Sequence, residues 1–114
     1  MDPITKYILK EEKIKPFLHE LFVQTEEIIN MPKGKERDLQ ILRISMIAEL
    51  DAVNLYEKLA QLASDSQVTK LMKDISYEEK VHAGEFETLM EKLDPSYEKA
   101  EKEGENEVND LLNI

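Results

Sequence analysis

Between Leu42 and Leu93, apolar and small residues recur at intervals of three and four in two consecutive segments. Such spacing is typical of the line along which one helix packs on another. Asp65 or Ser66 between the segments can cap the second helix, so Ser64–Ser66 is predicted to be a turn. The pattern therefore predicts two antiparallel helices. We call their packing lines the predicted stripe: Leu42, Ser45, Glu49, Ala52, Tyr56, Leu59 and Ala63, then Val68, Met72, Ile75, Glu79, His82, Phe86, Leu89 and Leu93.

Charged residues interrupt the predicted stripe at Glu49, Glu79 and His82. A carboxylate at a helix interface is costly unless it is paired or binds a metal. At 1.5 Å rise per residue, all three positions are expected about 22 to 26 Å from the turn, at one level. Glu79 and His82 are three residues apart and share a helix face. Spacing alone leaves two alternatives to a metal site: a buried ion-paired cluster, and a register that exposes Glu49.

One Glu on one helix and Glu-x-x-His on the next form half of a di-iron carboxylate site in a four-helix bundle. The sequence contains a single such motif, Glu78–His82. The other half must then come from a second copy of the chain. The predicted fold is all-α: an antiparallel two-helix half of a ferritin-like four-helix bundle, completed by dimerisation, with further helices at both ends.

The first long helix gives a separate indication of oligomerisation. Residues 39–55 carry apolar side chains on more than one face. A helix that is apolar nearly all round is buried on several sides. One helical hairpin cannot cover such a surface, so we expect a homo-oligomer.

Three regions follow from the breaks in the pattern. Residues 1–35 are predicted to be an N-terminal helical extension, 36–95 the hairpin with the metal half-site, and 96–114 an acidic helix or tail. Asp94-Pro95 ends the second helix, because the residue before proline disfavours helical dihedrals. The tail ends in an apolar segment, Val108–Ile114, which is either a docking peptide or an ordinary frayed terminus. We expect the chain from Ser96 onward to be dispensable for the core.

Composition excludes several classes of function. The absence of cysteine excludes disulfides, thiol catalysis and Cys-ligated zinc or iron–sulfur sites. A net charge of −10 without a basic patch argues against a nucleic-acid partner. No apolar run approaches the ~20 residues of a membrane span, and the first residues do not have the pattern of a signal peptide. We therefore expect a cytoplasmic protein.

Iron suits the proposed ligands, because hard carboxylate oxygens with one imidazole per metal serve both oxidation states. Two copies of Glu49, Glu79 and His82 would supply four carboxylates and two imidazoles. Tyr56 lies two turns after Glu49 on the predicted stripe, where its hydroxyl could hydrogen-bond a ligand carboxylate. A core tyrosine whose hydroxyl reaches solvent is the alternative.

Two segments of the chain resemble the encapsulated ferritins, half-length ferritin-like cargo proteins of encapsulin nanocompartments. They are IAELDAVNLYE at 47–57 and YEEKVHAGEF at 77–86, and the resemblance extends over residues 38–95. It implies that Glu49, Glu79 and His82 are iron ligands, that Tyr56 supports them, and that Asp51 lies on the path by which iron reaches the site. Ala48 and Leu55 depart from the family pattern, where some members have an acid and a tryptophan.

By the same resemblance, the activity would be that of a ferroxidase, oxidising Fe²⁺ to Fe³⁺ at a di-iron centre shared between two subunits. Five dimers would form a ring-shaped decamer, and an encapsulin shell would store the mineral. The acidic spacer and apolar tip of the C-terminal tail, and not the resemblance, suggest that Val108–Ile114 docks to that shell. Two other functions remain open from the residues alone. One is a non-catalytic oligomeric helical adaptor, and the other is a rubrerythrin-like peroxidase.

Overall fold

The computed structural model describes residues 23–114, and all regular structure in that part of the chain is helical. Helix α1 covers 23–29, and three longer helices follow: α2 (Lys35–Leu62), α3 (Ser66–Leu93) and α4 (Pro95–Leu112). The prediction of an all-α chain is confirmed. Predictions that concern residues 1–22 lie outside the described residues. Within the described chain, no helix combines the length and hydropathy needed to cross a membrane.

Local sequence chemistry sets the boundaries of the hairpin. Gly34 precedes α2 with a φ of 153°, a conformation that residues with a Cβ rarely adopt. Asp65 caps α3, because its carboxylate accepts hydrogen bonds from the backbone N–H of Gln67 at 2.7 Å and of Val68 at 3.4 Å. Of the two predicted caps, the structure therefore selects Asp65, and the three-residue turn lies at 63–65, one residue earlier than predicted.

Asp94 separates α3 from α4. It follows the last residue of α3 and is the N-cap of α4, with Pro95 at the first helical position. Its carboxylate accepts hydrogen bonds from Ser96 Oγ at 2.6 Å and from Ser96 N at 3.1 Å. The side-chain bond from Ser96 is the main reason why the pKa of Asp94 lies below its usual value.

The packing line between α2 and α3 differs from the predicted stripe. Between residues 53 and 83, the buried residues of the hairpin are Val53 and Ala60 on α2, and Ser76 and Ala83 on α3. They lie seven residues apart on each helix, the period of two packed helices. The predicted stripe lies beside this line and is only partly covered: Val68 and Leu89 are both 47% exposed. Small residues thus form the closest contact, and the larger ones border an open face.

A second apolar cluster closes the end of the hairpin away from the turn. Leu39, Leu42 and Met90 are buried there. The partly buried side chains packed against them are Met46, Phe86, Leu93 and Tyr97. Tyr97 belongs to the first turn of α4, so α4 is attached to the core at its beginning.

The tail is therefore not a separate acidic spacer with an apolar tip. Helix α4 continues without a break to Leu112, and Tyr97 contributes to the core. The expectation that everything from Ser96 onward is dispensable stays a prediction, and the packing of Tyr97 against the core argues against it at that residue. Beyond it, the apolar side chains of the tail are exposed, with Leu111 at 80% and Ile114 at 81%.

Two truncations should separate the attached part of α4 from the rest. Deleting 105–114 is expected to leave thermal stability unchanged, because almost all of those residues are exposed. Deleting 97–114 removes the Tyr97 packing and should lower the free energy of unfolding by about 2 kcal/mol. Thermal unfolding followed by circular dichroism, at one fixed protein concentration, measures both. Equal stability of the two truncated chains would contradict a role for Tyr97 in the core.

Candidate metal centre

The hairpin brings the three predicted ligands together at one height. Glu49 lies thirteen residues before the end of α2, and Glu79 lies thirteen residues after the beginning of α3. The two carboxylates are thus both about 20 Å from the turn. His82 lies one turn beyond Glu79 on the same side of α3.

The donor atoms of the three side chains converge on one point. His82 Nδ1 is 3.6 Å from Glu49 Oε1 and 3.8 Å from Glu79 Oε2. One ligand atom from each residue lies within 4.8 Å of the other two. Both nitrogen–oxygen distances exceed those of well-formed hydrogen bonds, 2.7–3.2 Å. The three side chains face a common point, and they do not form well-formed hydrogen bonds with one another.

An unpartnered oxygen supports the reading of this cluster as a ligand set. Among the described residues, Glu49 Oε2 is the one buried side-chain oxygen or nitrogen atom that has no hydrogen-bond partner. Leaving a buried carboxylate oxygen unpaired is costly, and a metal ion would remove the cost. Two carboxylates and one imidazole are also a donor set that iron accepts. The residues present therefore fit a metal site.

The half-site opens to one side of the hairpin. The side chains of Glu49 and Glu79 are each 20% exposed, whereas that of His82 is 44% exposed. The ligands lie beside the buried line of small residues, on the partly covered stripe. A second copy placed against that face would contact the ligands directly.

The two other predicted site residues lie on α2. Tyr56 is half-buried, and within the described chain its hydroxyl makes no hydrogen bond, so its predicted support of a ligand carboxylate stays a prediction. Asp51 is exposed and lies outside the ligand cluster. Its predicted place on the iron path also stays a prediction.

A second acidic cluster contains residues of both α3 and α4, and it was not predicted from the sequence. Single carboxylate oxygens of Glu87, Glu91 and Glu101 lie within 4.8 Å of one another. Partial desolvation raises the pKa of Glu91, and the charges of Glu101 and Glu87 raise it further. Tyr97 lies near these charges and its pKa is also raised, mainly by burial. The spacing of Glu87 and Glu91 was a visible signal, but the position of Glu101 depends on the turn at Asp94.

The second cluster differs from the first in its chemistry. It contains no nitrogen donor and no buried oxygen that lacks a partner. Partial desolvation and repulsion from neighbouring carboxylates account for the raised pKa of Glu91 without any ion being present. We assign this cluster no function.

Comparison with known proteins gives consistent matches. The Rubrerythrin family model matches residues 40–111. The ferritin-like–encapsulin shell fusion protein of Pyrococcus furiosus is 46% identical over 83 residues, which are 73% of this chain and 24% of that protein. The crystal structure of the encapsulated ferritin domain from Pyrococcus furiosus superimposes with a TM-score of 0.69 at 45% identity, covering 75% of this chain and 87% of that one.

Since the family model covers more than half of its length, the chain belongs to the rubrerythrin family of ferritin-like proteins. Within that class its relatives are encapsulated ferritins, which confirms the resemblance deduced from residues 38–95. The ferritin-like fold is confirmed as well, and an iron-related function is supported. The chain spans about a quarter of the length of the curated relative it matches.

Proposed function

We propose that the chain is a ferroxidase, which oxidises Fe²⁺ to Fe³⁺ at a di-iron centre completed by a second copy of itself. The observation that carries the proposal is the convergence of Glu49, Glu79 and His82 around an unpartnered buried oxygen. These three side chains form half of the ligand set of a di-iron carboxylate protein. No second Glu-x-x-His motif is present in the sequence to supply the other half.

Each ligand has a distinct task in this proposal. Glu49 and Glu79 provide charged oxygens that favour Fe³⁺ over Fe²⁺, because the higher charge gains more from hard anionic donors. His82 offers the neutral nitrogen Nδ1, the atom that faces both carboxylates. Tyr56, from the same or the partner chain, would orient a ligand carboxylate through its hydroxyl. Two Fe²⁺ ions, the substrate, would together give two electrons to O₂, forming hydrogen peroxide, or to hydrogen peroxide, forming water, with two protons taken from solvent in either case.

The dimer is supported by the surface around the half-site. His82 is 44% exposed, and apolar side chains of α3 on the same side are exposed too, including Leu71 at 53% and Leu89 at 47%. Burying them against a second copy would remove apolar area from water and close the site. We further propose that five such dimers form the ring-shaped decamer expected from the resemblance.

An encapsulin shell is the proposed partner, and the proposed location is inside such a compartment in the cytoplasm. The relative from Pyrococcus furiosus supports this proposal, because it is a fusion of a ferritin-like protein with an encapsulin shell protein. In the present chain, the exposed end of α4, with Val108, Leu111 and Ile114, would contact the shell. Oxidised iron would then be stored as mineral within the shell, with iron detoxification as the result.

A peroxidase of the rubrerythrin type is the second candidate, favoured by the match to the Rubrerythrin family model. The two candidates differ in the preferred oxidant. Anaerobic protein loaded with Fe²⁺ should be mixed in a stopped flow with O₂ or with hydrogen peroxide, and Fe³⁺ formation followed by absorbance. Faster oxidation by O₂ supports the ferroxidase, and a marked preference for peroxide supports the peroxidase. Failure to bind or oxidise iron would contradict both and favour the helical adaptor.

A further inference from the structure

Two hydroxyl groups of α3 bridge to backbone carbonyls of α2 between the turn and the metal half-site. Thr69 Oγ1 donates a hydrogen bond to the carbonyl of Ala60 at 3.3 Å. Ser76 Oγ donates to the carbonyl of Val53 at 3.4 Å. The donors are seven residues apart on α3, and the acceptors are seven residues apart on α2. The same cross-helix contact is therefore made twice, at an interval of two helical turns.

Packing alone does not explain the serine. Ser76 is 3% exposed, and among the described residues it is the one polar residue that is buried. Ala60 and Ala83 fill equivalent positions in the same line of small residues, at 4% and 6% exposure. An alanine would fit there without the cost of burying a hydroxyl. The hydrogen bond across the helices is what distinguishes Ser76 from these neighbours.

The hydroxyl group of Ser76 has a second acceptor on α2. Glu57 Oε1 lies 3.5 Å from Ser76 Oγ, and the same oxygen pairs with Lys80 Nζ at 3.2 Å. Since Ser76 has one proton to donate, the two bonds alternate. Both acceptors belong to α2, so either bond holds α3 against α2.

The location of these contacts connects them to the ligands. Val53 is one turn after Glu49 on α2, and Ser76 is one turn before Glu79 on α3. The turn fixes the helices only at 63–65, thirteen residues away from both glutamates. Helical rise sets the expected height of the two carboxylates, and hydrogen bonds between the helices oppose sliding of one helix along the other, because their geometry is directional.

We propose that Thr69 and Ser76 are positioning residues, which hold α3 against α2 so that Glu49 stays aligned with Glu79 and His82 for metal binding. This inference rests on the proposed metal site. At 3.3 and 3.4 Å, both bonds are long for a hydroxyl donor, so they add little to stability. Metal affinity reports ligand alignment directly, and losing one such bond should lower it by about tenfold at most, which corresponds to the net contribution of one hydrogen bond.

The test compares substitutions that separate the hydroxyl from the shape of the side chain. Thr69→Val keeps the shape and removes the hydroxyl, Thr69→Ser keeps the hydroxyl, and Ser76→Ala removes the second donor. Thr88→Val, at an exposed position of α3, is the matched control. Co²⁺, which is not oxidised under these conditions, serves as the probe in full-length protein. Its affinity and its visible absorption spectrum are measured beside far-ultraviolet circular dichroism.

We expect Thr69→Val and Ser76→Ala each to weaken Co²⁺ binding by about three- to tenfold and to alter its spectrum, with helicity unchanged. Thr69→Ser and Thr88→Val should bind as the parent does. Parental binding by both Thr69→Val and Ser76→Ala, or equal loss in Thr69→Ser, would overturn the positioning role. If Ser76→Ala fails to fold, the comparison of Thr69→Val with Thr69→Ser tests the positioning role by the same criteria. A parent protein that binds no Co²⁺ would overturn the metal site itself, and with it this inference.

Discussion

Replacing Glu79 or His82 with alanine is expected to abolish iron oxidation. Each ligand would occur twice in a symmetric di-iron site, so one substitution removes two of the six donor groups. Loss of an anionic ligand also removes the preference for Fe³⁺ that drives the reaction. We expect the initial rate of Fe²⁺ oxidation, followed by absorbance of Fe³⁺, to fall by at least about 100-fold.

The neighbouring acid Glu78 provides the matched control. It is exposed on α3 and lies outside the cluster of Glu49, Glu79 and His82. Glu78→Ala changes the net charge by the same amount as Glu79→Ala and should oxidise iron at the parental rate. Parental rates in both Glu79→Ala and His82→Ala would place the activity elsewhere or show that it is absent.

Aspartate at both Leu71 and Leu89 is expected to break the interface that completes the site, so that the protein forms smaller assemblies than the parent. The two leucines lie eighteen residues apart on α3, which is five full turns, and His82 lies between them on the same face. They are 53% and 47% exposed in the single chain. Burying one such leucine against a second copy stabilises the dimer by roughly 1.5–3 kcal/mol, whereas burying the unpaired charge of an aspartate there destabilises it.

The consequence for activity distinguishes a shared site from an internal one. The double variant keeps Glu49, Glu79 and His82, yet it should lose iron oxidation together with dimerisation. Size-exclusion chromatography with light scattering measures the mass, and the oxidation assay is run on the same fractions. Ile114→Asp, which changes an exposed apolar residue at the far end of the tail, should alter neither. A monomeric double variant with parental activity would show that one chain suffices.

The convergence of Glu49, Glu79 and His82 could be predicted from the sequence because its determinants are local. The two glutamates are equally distant from a short turn, and helical rise then places them level. Glu79 and His82 share a face through their spacing alone. The structure adds the distances between donor atoms and the unpartnered oxygen of Glu49, which depend on side-chain conformations.

The sequence predicted the wrong line of contact between α2 and α3. The observed line is rotated around each helix relative to the predicted stripe. Large apolar residues dominated the predicted stripe, whereas the buried line consists mainly of the small residues Val53, Ala60, Ser76 and Ala83. Small side chains let two helices approach closely but give a weak hydrophobic signal. Most residues of the predicted stripe are partly buried, and Val68 and Leu89 are exposed.

The role of α4 was also hard to predict. Its sequence is nearly all polar from 96 to 107, and one aromatic residue, Tyr97, attaches it to the core. That contact, and the cluster formed with Glu101, follow from the sharp turn at Asp94, where one residue ends α3 and caps α4. Periodicity locates helices but does not give the angle between two that are joined by one residue.

Native mass spectrometry of the anaerobic protein, with and without Fe²⁺, tests the central claim most directly. The claim is that two copies of Glu49, Glu79 and His82 form one metal centre. It predicts assemblies with even numbers of chains, about two irons for each pair of chains, and loss of that iron in His82→Ala. A folded monomer that binds iron by itself, or dimers whose iron content does not depend on His82, would contradict it.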